Sequence, residues 1–470
     1  MADREPPRDA SPDPLRCDAV VVGGGLAGLA ASIHLRREGL RVVCVEPEPF
    51  PHDRVGESLD WSSPALLAEI GLPGEALLGA GVATAKHNIR VVAPGRPVSK
   101  GEPPRWWGAP PLRFEQVTLH VDRLEMDLRL YAQAVELGVE FLWDRAREVV
   151  AEGERVLAIE TAGGRRLEAT WFLDASGRNA RLFAHRFGTP RIDYGRPKVS
   201  FWCTLETPCA NEGTTFYLDA PHEEYLSWVW EIPIRSDRAS IGCVLEAEAV
   251  RDARRRGRTP RQILCDRLAH FPRFQPLLDE GVEEVEGTAE GKGEVGSSRF
   301  AVRATAYRSF VHARASGPNW LMMGEAAALH DALTGNGVTA AFRHASEATR
   351  LILASRERGH LTARQRRVYD ANVRRMGRMF NHGIETAVYD WPIRNGLGIT
   401  ASQVVYTVCA FVLNALYTRF RPGGRWSMLA FGALMQGAWA WIEGWTLLGR
   451  LAAVLRRSRA EPRRRPAEAA

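Results

Sequence analysis

Short apolar runs and a glycine turn set the first pattern along this chain. Cys17 to Val22 is an apolar run, and Gly23 to Gly28 is rich in glycine. Leu29 to Arg37 then has apolar residues at helical spacing up to Gly39, a residue type that ends helices. Arg41 to Val45 is a second apolar run, closed by Glu46. Strand, turn, helix and strand within about thirty residues predict a βαβ unit. Arg155 to Ile159 and Leu167 to Leu173 read as two more strands, split by Gly163 and Gly164. From Val199 the pattern changes. Val199–Leu205, Thr214–Leu218, Tyr225–Ile234 and Ser240–Leu245 are rich in aromatic and β-branched residues, as antiparallel strands are. The first pattern returns at Trp320–Met323, followed by a glycine-rich turn and a long helix from Val338 to about Arg356.

These patterns predict an α/β fold with an inserted sheet domain. The expected divisions are a disordered leader over 1–15, a nucleotide-binding part over 16–198 with a substrate-side excursion near 80–115, and an antiparallel-sheet substrate domain over 199–300. The first domain then resumes over 301–358, before a helical, apolar region over 359–455 and a basic disordered tail over 456–470.

Composition narrows the class. The 470 residues are 45% hydrophobic and 25% charged, with 43 glycines and 28 prolines, which is globular and neither collagen-like nor low-complexity. The net charge of +6 is spread over the whole chain and marks no nucleic-acid partner. Only Lys86, Lys100, Lys198 and Lys292 are lysines; arginine supplies the other cations. The seven cysteines are scattered with no CxxC pair, which argues against a zinc site or a disulfide framework and points to a reducing, cytoplasmic setting. No metal site is expected.

Gly23, Gly25 and Gly28 fit G-x-G-x-x-G between a strand and a helix. The first glycine allows the tight turn, the second lets a pyrophosphate approach the backbone, and the third lets helix and strand pack closely. The amides of Gly25, Leu26, Ala27 and Gly28 would face the phosphates at the positive end of the helix. Glu46 stands about twenty residues on, where an acid binds a ribose hydroxyl. Gly291 to Gly296 matches the same pattern but follows an acidic stretch and opens no helix, so it reads as a loop.

Further segments resemble one family. Asp174-Ala175-Ser176-Gly177 is similar to the second dinucleotide motif of FAD-dependent monooxygenase-like proteins. Gly324-Glu325-Ala326-Ala327, with Asp331 and Gly335-Asn336-Gly337, is similar to their third motif. Arg54-Val55-Gly56-Glu57-Ser58 resembles the Gly-Glu-Ser turn of flavin-dependent halogenases and geranylgeranyl-reductase-like proteins, and Arg123 stands where this group often has an arginine near the flavin. The resemblance implies FAD, bound on a Rossmann-like three-layer ββα domain. The third motif usually reads Gly-Asp; Glu325 sets its carboxylate one methylene further out. The amides of the glycine turn and the helix dipole would face the flavin's pyrimidine edge.

Trp228-Val229-Trp230-Glu231-Ile232-Pro233 fits W-x-W-x-I-P, the halogenase signature of this superfamily, in which bulky residues wall substrate off from the flavin. The same residues also describe a half-buried strand with alternating tryptophans. Lys86 lies in a segment resembling the family's lysine run, where an amine meets hypohalous acid. The resemblance therefore implies a halogenase-like monooxygenase that uses O2, a halide near Asn336 and Gly337, and reduced FAD from a separate flavin reductase. Its substrate would be an electron-rich small molecule, apolar or carrier-bound. Leu333-Thr334-Gly335-Asn336-Gly337 also matches lipid reductases of the geranylgeranyl type, which reduce alkenes without oxygen or halide. An FAD hydroxylase and a non-enzymatic flavin-fold binding protein are the remaining readings.

His87 and His330 flank these segments and could shuttle protons near neutral pH. Asn395–Thr418 and Trp426–Ile442 carry no charge. They read as a helical cap or a peripheral membrane contact within 395–455, ahead of the arginine-rich tail.

Overall fold

The computed structural model describes residues 13–49, 54–60, 63–87, 89–92, 118–209, 212–219, 225–279, 301–385, 389, 448 and 451. Most of the leader, the glycine pattern at 291–296, the middle of the excursion, and nearly all of 390–470 lie outside the described residues. No helix among the described residues is long and apolar enough to cross a membrane.

The strand Leu15–Val22 is central to a seven-stranded sheet. It pairs in parallel with Val42–Glu46 on one side and with Arg166–Asp174 on the other. Glu140–Trp143 and Trp320–Met322 extend the parallel part, and Arg155–Thr161 and Ala146–Glu152 add antiparallel strands beyond Arg166–Asp174. The central strands are buried on both faces. Their sequence is therefore continuously apolar, and Ala19 to Val22 are all buried. The helix Leu26–Arg37 packs against the long helix Asn336–Leu353, which closes the nucleotide side of the sheet.

The second sheet has six strands. Its order is Arg303–Tyr307, Lys198–Leu205, Arg238–Glu246, Ser227–Arg235, Thr214–Asp219 and Ile89–Val92. Two features correct the expected divisions. Ile89–Val92 joins parallel to Thr214–Asp219, so the sheet is not wholly antiparallel. Arg303–Tyr307, expected in the nucleotide domain, pairs with Lys198–Leu205 at the sheet's edge. Both arise from long-range pairing that local periodicity does not encode.

Both faces of this sheet are covered, so alternation along Ser227–Arg235 separates two cores rather than core from water. Trp228, Trp230 and Ile232 pack with Phe310, Met376, Phe380 and Tyr389. Val229 packs on the opposite face beneath the helices Ala247–Arg255 and Pro260–Leu268. The tryptophans thus point toward the nucleotide domain. The helix Ala363–Ile384, capped at Thr362 by a reciprocal box with Gln365, brings Met376 and Phe380 to that side.

Candidate active site

The glycine turn is built for a dinucleotide. Gly23 has a φ of 98°, and a Cβ there would stand 2.5 Å from the Ala175 carbonyl oxygen, so the first and second motifs close on one another. A Cβ at Gly28 would lie 1.8 Å from the Gly23 oxygen, which makes glycine obligatory for this turn. The helix Leu26–Arg37 starts at Gly25 with no capping side chain, so its positive end is presented to an anion. Added at Gly25, a Cβ would meet only the Arg54 guanidinium, 3.3 Å away, so a cation lies over the turn. Glu46 accepts the Gly24 N–H at 2.6 Å and fixes the loop beside the expected ribose position. An uncapped helix end, close backbone approach and an overlying arginine fit the pyrophosphate of FAD.

Asp174 is fully buried, and its oxygens accept from the Ser176 N–H (3.0 Å), the Ser176 hydroxyl (2.5 Å) and the Phe183 N–H (3.1 Å). Its carboxylate orders the turn at Gly177, whose φ is 79°. Arg123 is also buried, forks onto Asp127 at 3.1 and 3.0 Å, and donates to the Val55 carbonyl at 2.8 Å. It holds the Gly56 turn, where φ is 125° and a Cβ would collide with its guanidinium.

The Gly-Glu-Ser turn and the third motif meet. A Cβ at Gly335 would stand 3.0 Å from the Ser58 carbonyl oxygen. Gly335, at φ 62°, begins the helix Asn336–Leu353 without a capping side chain, and a Cβ at Gly337 would meet nothing within 4 Å. Open space therefore faces this helix start, as a flavin edge or a halide requires. Gly324 packs its bare Cα against Ala27, while Glu325 is partly exposed and 3.8 Å from Arg178. Burial raises the Glu57 carboxyl above its usual range, opposed by the Gly56 amide and the Ser240 hydroxyl. Ser240 also accepts the Trp230 indole N–H at 3.2 Å, linking the turn to the tryptophan strand.

Lys86 ends the strand Ala83–Lys86 and is 6% exposed, so its amine does not face bulk water. Nζ donates to Ser58 Oγ at 2.9 Å and to the Leu59 carbonyl at 3.1 Å. Burial pushes its pKa down to about 8, against the pull of the Asp60 carboxylate. Ser58 Oγ contacts Thr214 Oγ1 at 2.9 Å, and His120 Nε2 contacts the same threonine at 2.9 Å. Thr84, two residues before Lys86, donates to the Pro233 carbonyl at 2.9 Å. The amine-bearing strand is thereby tied to the end of the tryptophan strand. The two indoles lie 5.6 Å apart between ring centres, and Trp228 donates to Tyr389 Oη at 2.8 Å.

Thr214, His120, Ser240 and Lys198 belong to no motif, and the contacts that bring Thr214, His120 and Lys198 to the site reach residues far away in the chain. Lys198 alone carried a signal, as one of four lysines in an arginine-rich sequence. Burial lowers the His330 pKa to about 4, so the ring is neutral at pH 7 and does not shuttle protons there.

The family model for tryptophan halogenase matches residues 108–376, and one for an FAD-binding domain matches residues 18–64. A tryptophan 2-halogenase of Chondromyces crocatus is 26% identical over 351 residues, 69% of this chain and 59% of that protein. A 1H-pyrrole-2-carbonyl-(peptidyl-carrier protein) brominase of Pseudoalteromonas luteoviolacea is 28% identical over 238 residues, 48% of this chain and 54% of its own length. The chain thus spans less than two thirds of these relatives. The solved structure of the flavin-dependent brominase Bmp2 shares the fold, with a TM-score of 0.58, 21% identity, and 95% of this chain and 100% of that one covered.

Proposed function

The chain belongs to the tryptophan halogenase family, and from that premise we propose that it is an FAD-dependent halogenase whose halogen-transferring amine is Lys86. The observation that carries the reading is the lysine itself. A buried amine at a strand end, with its pKa pushed toward neutrality and its nitrogen fixed by Ser58 and Leu59, is not a solvated surface lysine.

Gly23 to Gly28, Glu46 and Arg54 would hold the adenosine and pyrophosphate of FAD, and Gly335 to Gly337 would face its ring. Bound reduced FAD, supplied by a separate flavin reductase, would provide the electrons with which dioxygen and halide yield hypohalous acid. The chain's own residues do the rest. The amides of Asn336 and Gly337 offer donors to a chloride or bromide. Trp228, Trp230 and Ile232 form an apolar wall that keeps substrate from the ring. Lys86 Nζ, held by two acceptors, presents its remaining valence to the incoming oxidant, as a donor when charged and as a nucleophile when neutral. The substrate is an electron-rich molecule, apolar or bound to a carrier protein.

The test supplies reduced FAD, oxygen and bromide with monochlorodimedone or a phenol. Halogenated product is expected from the native enzyme and not from Lys86→Ala, with flavin reoxidation in both. Product from Lys86→Ala at the native rate refutes the role of the amine. Oxygen-independent reduction of an alkene, with no halogenated product, identifies a lipid reductase instead.

A further inference from the structure

We infer that Lys198 is a positioning residue for halide capture, because its buried ammonium neutralises two carboxylates behind the Gly335–Gly337 loop and pins that loop to the tryptophan wall. The inference rests on the halogenase reading above and deepens it.

Lys198 begins the strand Lys198–Leu205 and is fully buried. Its Nζ lies 3.1 Å from Asp331 Oδ2 and 3.1 Å from Glu385 Oε2. It also sits over the Tyr389 ring, 4.3 Å from the centroid, within reach of Tyr225. Burial disfavours this charge, but Asp331 and Glu385 outweigh it and hold the pKa above the ordinary lysine value. Lys198 is therefore a fixed cation, unlike Lys86. A buried ammonium is costly to desolvate, and here two carboxylates at 3.1 Å offset that cost.

Each partner leads to the site. Asp331 accepts the Leu333 N–H at 3.1 Å and so caps the turn Ala332–Thr334, which runs straight into Gly335 and the open helix start. The Asp331 N–H is held at 3.0 Å by Asn381 of the helix Ala363–Ile384. Tyr389 donates to Asp331 Oδ1 at 3.0 Å and accepts from Trp228 Nε1 at 2.8 Å. One carboxylate thus sets both the loop that would receive halide and the orientation of a wall tryptophan. Glu385 takes the Tyr225 hydroxyl at 2.5 Å and the Arg196 N–H at 3.3 Å, which ties the end of that helix to the sheet domain.

Electrostatics gives the network its consequence. Two carboxylates and one ammonium leave a single net negative charge behind the loop. Removing the ammonium leaves two negative charges in a low-dielectric interior, facing a site for an anion. Halide binding weakens, while Lys86 keeps its own partners, Ser58 and the Leu59 carbonyl.

The experiment uses FAD-loaded enzyme and two readouts: halide KM in the bromination assay, and the bromide dependence of oxidised flavin absorbance, which needs no turnover. Lys198→Met is expected to raise the halide KM and the bromide midpoint on the order of tenfold, with a smaller fall in kcat. Glu385→Gln, which removes one negative charge, is expected to lower both. The double variant Lys198→Met/Glu385→Gln is expected to return both toward native values, a rescue that packing alone does not give. Should Lys198→Met fail to fold, Glu385→Gln decides alone. An unchanged midpoint in the foldable variants, or a kcat loss without a change in halide KM, overturns the inference. Absence of halogenated product from the native enzyme would refute the halogenase reading instead, and the absorbance titration keeps the two failures apart.

Discussion

Replacing Lys86 by methionine should abolish halogenation and make the protein more stable at neutral pH. The amine is pushed from 10.5 to about 8 by burial, a difference worth about 3 kcal/mol against folding while the group is charged. Methionine fills similar space without that cost. It forfeits two hydrogen bonds, to Ser58 and Leu59, at ~1 kcal/mol each. Ser58 keeps Thr214, while the Leu59 carbonyl keeps only the 3.4 Å arm of a Thr118 hydroxyl whose nearer acceptor is the Asp60 carbonyl at 2.7 Å. The net is a gain of ~1 kcal/mol at pH 7, or about 2–4 °C in the unfolding midpoint of a domain of 150–250 residues. The pH dependence has a definite sign. Because the folded pKa lies below the unfolded value, the unfolded chain binds the extra proton between pH 8 and 10.5. The lysine's contribution is complete above 10.5 and is lost as pH falls through about 8. The midpoint of Lys86→Met minus native should therefore be positive at pH 7 and shrink, then invert, toward pH 10. Paired thermal scans across that range measure it. A variant less stable than native at pH 7, or a difference independent of pH, would refute the reasoning, since an exposed or fully paired lysine behaves that way.

The same ionisation shapes activity. If the neutral amine attacks the oxidant, the halogenation rate at saturating halide rises as pH climbs through about 8; a hydrogen-bonding ammonium gives the opposite slope, and a profile with no inflection near 8 contradicts both roles. Gly23→Ala should abolish retention of FAD through gel filtration, because its Cβ would stand 2.5 Å from the Ala175 oxygen at a φ of 98°; full flavin content would contradict the cradle. Tyr389→Phe removes the acceptor of the Trp228 N–H and a donor to Asp331. It should cost ~1–3 kcal/mol in stability, read by denaturant titration. A change below a few tenths would dissolve the proposed link.

Much of the fold was legible because its signals are local. The run Cys17–Val22, the glycine turn and Glu46 lie within one βαβ unit, and a strand buried on both faces announces itself as unbroken apolar sequence. Sheet membership was not legible at Ile89–Val92 and Arg303–Tyr307. An edge strand's partner is chosen by tertiary packing, and both runs are short. The site divided the same way. Lys86 and the tryptophans stood out by residue type and motif. Asp174 and Arg123 matched cofactor motifs, and their intrachain bonds, to Ser176 and to Asp127, were not legible in the motif. Lys198 and Asp331 join residues more than a hundred positions apart, and no spacing rule reaches that far.

The most direct test of the central claim is the ratio of brominated product to flavin oxidised, measured in the same sample for native enzyme and Lys86→Met. A ratio approaching one in the native enzyme and near zero in the variant, with flavin oxidation continuing in both, is the predicted result. Equal ratios in the two proteins would contradict it, because the halogen would then reach substrate without the amine at position 86.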